Sequence, residues 1–146
     1  MADDLELIGA VTALLIYLLS ILVFIFRLAG KMKFAQWAGI GTLLMAAPLV
    51  YLLAAGPAAG RDALYYLQIG LMLLWMLVTL VVDCITHFEF RDNLRLVIVY
   101  VVLFFAGTGG MLGVSALAGQ PWITVNGLLF LIMAVLAFVQ RAKTGY

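Results

Sequence analysis

The sequence predicts an all-α fold, a polytopic bundle of five transmembrane helices with its N-terminus outside and its C-terminus cytoplasmic. Three observations carry that expectation. Of 146 residues, 67% are hydrophobic and only 10% are charged, against about 25% charged in a soluble globular domain. The apolar residues fall into five runs, at 5–26, 34–54, 63–86, 96–117 and 123–139. Each run is near the roughly 20 residues that cross about 30 Å of hydrocarbon. Finally, the eight Lys and Arg residues are distributed unevenly between the two sides that five crossings define.

The first run follows an acidic start, Asp3, Asp4 and Glu6, and is closed by Arg27, Lys31 and Lys33. A cleaved secretory signal has basic residues ahead of a shorter apolar core. The expectation here is an uncleaved span held by a basic stop. The second run contains Pro48, which removes a backbone donor and crowds the preceding turn, so a kink is expected there. Polar connections at 27–33, 55–62, 87–95 and 118–122 separate the runs. Such short connections place successive helices side by side and antiparallel. No repeat or linker divides the chain, so residues 1–146 read as one transmembrane domain.

Five crossings put Arg27, Lys31, Lys33, Arg91, Arg95, Arg141 and Lys143 on one side and Arg61 alone on the other. Cytoplasmic loops are enriched in Lys and Arg, which sets the orientation and favours an odd number of spans. A multi-pass protein of the cell (plasma) membrane is the resulting expectation.

The third run is the least uniform. Gln68, Met72, Trp75, Thr79, Asp83 and Thr86 recur at steps of three and four residues. At 100° per residue they share a stripe of roughly 80°. The expectation is a central helix that turns this seam inward, with Ile69, Leu73 and Leu80 opposite, against lipid or apolar neighbours. Gln68, Trp75, Thr79, Asp83 and His87 are the candidate ligand-binding residues. Apart from Glu6 at the edge of the first run, Asp83 is the one charged residue inside a run. An Asp at the bilayer centre costs about 2.5–3.5 kcal/mol on insertion scales. It has two readings: a structural pair with Arg27 or Arg95, or a site for a proton, a cation or a polar head group. His87 stands four residues later, within side-chain reach on a helix.

In the fourth run, Gly109 and Gly113 form a GxxxG step, and Ala106 with Gly110 forms a parallel one. Small residues let helices approach closely where lipid removes the hydrophobic drive to associate. The step serves packing within the chain, a homo-oligomer, or a broken helix beside a pocket.

The inventory excludes several activities. One His cannot supply both axial ligands of a haem, and one Cys, Cys84, forms no CxxC redox pair. An aspartyl protease needs two Asp within spans. Neither Ser20 nor Ser115 lies in a GxSxG-like context. Zinc needs three converging ligands, whereas Asp83 and Cys84 point about 100° apart on a helix. No metal and no cofactor is expected. A net charge of +1 gives no reason to expect nucleic acid. The expected partners are the lipid bilayer, other membrane proteins or a second copy. The expected role is a non-catalytic membrane subunit or scaffold, with binding or carriage of a small hydrophobic or lipid-like molecule as the alternative.

Overall fold

A computed structural model describes residues 4–57, 60, 63–81, 94–116 and 118–144. The described residues form helices α1 (Asp4–Leu28), α2 (Met32–Leu44), α3 (Ala46–Ala55), α4 (Ala63–Thr79), α5 (Leu94–Ala116) and α6 (Gln120–Thr144). Four stretches are long and apolar enough to cross a membrane: Glu6–Leu28, Lys33–Ala55, Leu94–Ala116 and Gln120–Lys143. The helix Ala63–Thr79 is apolar but shorter, and a wider π turn at Leu80 and Val81 continues it to the edge of the described residues.

The expected kink in the second run is a break between α2 and α3 at Met45. Pro48 has no N–H to offer the carbonyl four residues back, at Leu44. The Met45 N–H instead closes a tight turn on the Thr42 carbonyl at 3.1 Å. Helical geometry resumes at Ala46. The Thr42 hydroxyl also donates back to the Ala38 carbonyl at 3.1 Å, a side-chain bond of the kind that often accompanies a bend.

The centre of the bundle is α1, not the third run. Helix α1 packs against α2, α3, α5 and α6, whereas α4 packs chiefly on α5 and α3. The reason is side-chain size. Gly9, Ala10, Thr12, Ala13 and Ser20 are buried on α1, and small residues allow close approach on more than one side. A helix that is apolar all round gives no period to mark such a role.

The inward face of α4 is also rotated from the seam expected of it. Tyr65, Ile69, Met72, Trp75 and Met76 are buried, while Gln68 and Thr79 are half-buried. Ile69 belongs to the core, Leu73 packs partly against it, and Leu80 is exposed. Apolar burial against α5 sets the rotation, and the polar stripe follows at its margin. The outward faces carry Leu64, Leu67, Leu74 and Leu77 on α4, and Leu128, Leu131 and Val135 on α6, all exposed. In lipid such surfaces carry no penalty.

Interhelical polar bonds tie the core together. The Tyr17 hydroxyl donates to the Thr108 carbonyl, joining α1 to α5. The Asn126 amide donates to the Ala10 carbonyl at 3.3 Å, joining α6 to α1. Tyr65 reaches the Leu52 carbonyl at 3.3 Å and so joins α4 to α3.

Candidate binding cavity

One end of the bundle is not filled. A cavity of about 170 Å³ lies between α1, α2, α4, α5 and α6. It is comparable to cavities of about 150 Å³ that stay dry and accept a six-membered carbon ring. It is open on one side, and Phe138 in its wall is 63% exposed.

Helix spacing assembles the walls. Ser20, Phe24 and Arg27 recur at steps of four and three on α1, so one face presents all three. Gly39, Thr42 and Leu43 come from α2, and Trp75 and Thr79 from successive turns of α4. Val97, Tyr100, Val101, Phe104 and Phe105 come from α5, and Ala137, Phe138, Gln140 and Arg141 from α6. The elements thus contribute late α1, late α2 (the first half of the Lys33–Ala55 stretch), late α4, early α5 and late α6.

Aromatic rings give the cavity its shape. Trp75 lies 5.0 Å from Phe104 and 6.2 Å from Tyr100, centroid to centroid. Phe24 meets Phe104 edge-on at 6.1 Å, and Phe105 stacks on Phe138 at 5.7 Å. Rings held against one another at these distances resist collapse into the gap.

The polar atoms are few and specific. The Thr79 and Tyr100 hydroxyls are bonded to each other at 3.1 Å. Gln140 is buried. The Ser20 hydroxyl and the Trp75 indole N–H are buried and have no hydrogen-bond partner among the described residues. A buried polar group left unsatisfied costs about 1–3 kcal/mol; both residues line the cavity, but these two atoms are themselves enclosed and do not face its open space. Arg27 and Arg141 add two positive charges. Among the described residues of the lining there is no carboxylate, imidazole or thiol.

Two of the expected binding residues, Trp75 and Thr79, stand in this cavity. Gln68 does not line it; its side chain lies against Gly110 and Gly113 of α5. Asp83 and His87 lie outside the described residues, as does Cys84. Among the described residues, no three His, Cys, Asp or Glu side chains gather as metal ligands.

The glycines of α5 meet α4 along a different line from the one their GxxxG step suggests. Added Cβ atoms at Gly107, Gly110 and Gly113 would crowd Met72 and Gln68, whereas one at Gly109 would meet nothing within 4 Å. The contact line therefore runs at steps of three residues, and of the pair Gly109 and Gly113 only the second touches α4.

Ser20, Tyr100, Gln140 and Arg141 escaped the sequence reading as binding residues. A signal was available for one pair: Ser20 and Arg27 are seven residues apart in an otherwise apolar helix, and so share a face. Nothing in the sequence indicates that α6 brings Gln140 to the same place. No protein family, curated protein or solved structure matches the chain.

Proposed function

We propose that this chain is a five-span, non-catalytic protein of the cell membrane that holds a small hydrophobic or amphipathic molecule in the cavity beside Trp75. The observation that carries the reading is the cavity itself, walled by Phe24, Trp75, Tyr100, Phe104 and Phe138. Helical interiors close-pack, and voids larger than a water molecule are few. A gap walled by aromatic rings with a few polar side chains among them is the usual form of a small-molecule site.

The fifth span in this reading is α4 with its π turn. Residues 63–81 rise about 28 Å at 1.5 Å per residue, close to the thickness of the hydrocarbon. Late α1, late α4 and late α6 share the cavity with the first half of the Lys33–Ala55 stretch and with early α5, which is in keeping with an alternating path of five crossings. The basic residues then gather at the cavity end, which supports placing it in the cytoplasmic half.

Gly39 supplies the test. It lines the cavity, and a Cβ built there meets nothing within 4 Å, so a side chain can start there, and Gly39→Leu is the variant chosen to occupy the gap. Protein purified in mild detergent is compared with this variant by native mass spectrometry and thermal unfolding. The expected result is loss of the bound molecule with stability held or raised, because binding sites commonly sacrifice stability. Identical bound molecules on both proteins would overturn the reading. Recovery of both with another membrane protein at fixed ratio would favour a subunit or scaffold, a role for which the open space beside Gly109 leaves room.

A further inference from the structure

Building on that cavity as a ligand site, we infer that its occupant enters sideways, from the hydrocarbon of the bilayer, past the ring of Phe138. The ligand is therefore a molecule that dissolves in lipid. Three observations place the entrance there.

The first is position. Leu128, Leu131, Val135 and Phe138 recur on α6 at steps of three and four residues, so they share one face. All four are exposed, and in a bilayer this face meets acyl chains. Phe138 differs from the other three because it also lines the cavity. One ring thus stands between the gap and the lipid.

The second is the unequal hold on two stacked rings. Phe105 of α5 and Phe138 of α6 both line the cavity and stack at 5.7 Å, with 15° between their planes. Phe105 is half-buried and also meets Phe104 at 5.2 Å and Phe130 at 6.1 Å. Among the described residues, Phe105 is the only ring that Phe138 meets. An exposed side chain changes rotamer in picoseconds to nanoseconds, and no helix has to move. Phe105 is the fixed post, and Phe138 is the part that swings.

The third is the alternative route. Arg27 and Arg141 lie in the last turns of α1 and α6, line the cavity, and each engage a partner. Entry from the helix ends disturbs those contacts. Entry past Phe138 disturbs one aromatic stack, worth about two- to tenfold in an equilibrium. The lateral path also fixes the ligand class, because a charged group is costly in hydrocarbon. Whatever passes Phe138 is uncharged over the part that enters. The cavity, about 170 Å³, holds one ring or a short length of chain, and the remainder stays in the bilayer.

The experiment makes Trp75 the sole indole, in a Trp37→Phe, Trp122→Phe background of the full-length protein in phosphatidylcholine bilayers. Two quenchers are compared: phosphatidylcholine brominated on its acyl chains, and acrylamide in the water. Phe138→Ala should raise quenching of Trp75 by the brominated lipid about two- to tenfold, the worth of the lost stack, and leave acrylamide quenching as in the parent. Phe138→Leu, apolar but unable to stack, should fall between the two. Val135→Ala, one turn away on the same face and outside the lining, should match the parent. Unchanged quenching by the brominated lipid in both Phe138 variants would overturn the lateral entrance, and a gain for acrylamide instead would move the entrance to the aqueous end. Thermal unfolding checks each variant, and if Phe138→Ala fails to fold, Phe138→Leu decides. Adding Gly39→Leu to Phe138→Ala should return lipid quenching to the parent level, since the gap is then occupied. If the Phe138 variants change nothing while Gly39→Leu alone still expels the bound molecule, the cavity stands as a site and only its entrance is wrong. If Gly39→Leu alone expels nothing, the site itself falls.

Discussion

Gly107 of α5 lies directly against the backbone of Met72 in α4: a Cβ placed on Gly107 would stand 3.0 Å from the Met72 Cα. It would also stand 3.3 Å from both the Leu71 carbonyl oxygen and the Met72 nitrogen. Backbone atoms cannot swing aside as a side chain can. This contact sets how closely α4 and α5 approach, and with it the width of the cavity beside Trp75.

The first prediction contrasts two glycines of the same helix. Gly107→Leu should force the helices apart and destabilise the protein by about 1–3 kcal/mol, the usual cost of overpacking. Gly109→Ala should be neutral or stabilising by up to about 1 kcal/mol, since a mid-helix glycine is itself a weakness and nothing stands within 4 Å. Thermal unfolding in detergent measures both. The opposite ranking would show that α5 packs through the Gly109 side.

Tyr17→Phe removes the buried donor to the Thr108 carbonyl and leaves the ring in place. The ring also meets Phe130 edge-on at 6.0 Å, so the shape of the core survives. A loss of about 0.5–1.5 kcal/mol is expected, with bound molecules unchanged, because Tyr17 does not line the cavity. A loss of ligand without a loss of stability would contradict this assignment.

Asn126 is fully buried, and its carbonyl oxygen has no hydrogen-bond partner among the described residues. Its amide makes one long bond, 3.3 Å, to the Ala10 carbonyl. An apolar residue of similar volume removes both the bond and the orphan oxygen. Asn126→Leu should therefore fall within about 1 kcal/mol of the parent in either direction, while Asn126→Asp should destabilise more by burying a charge. Denaturation midpoints at neutral pH decide. An Asp variant as stable as the Leu variant would mean that the site is hydrated.

Topology is tested separately from packing. A reporter active only in the cytoplasm, fused after Tyr146, should give signal, and the same reporter inserted near Pro57 should not. The reverse pattern would overturn the orientation, which rests on the placement of the basic residues, and the same result at both sites would overturn the odd number of crossings.

The amino-acid sequence by itself determined that this chain is helical and apolar enough for a membrane, and roughly where the four long apolar stretches lie. Those properties depend on composition and on the spacing of charged, proline and glycine residues, which act locally. The break before Pro48 was legible for the same reason: a missing N–H disrupts its own helix whatever surrounds it. Only the tertiary structure decided that α1 is the hub, that Ile69 turns inward, and that Gly107 rather than Gly109 touches α4. Within a membrane protein, lipid-facing and core-facing residues are equally apolar, so hydrophobic periodicity cannot tell the two faces apart. The cavity was legible only in fragments, as Trp75 and Thr79 on one helix. Its other polar residues, Ser20 on α1, Tyr100 on α5 and Gln140 on α6, are far apart in the chain. Packing of small residues along α1 brings them together, and no local pattern records it.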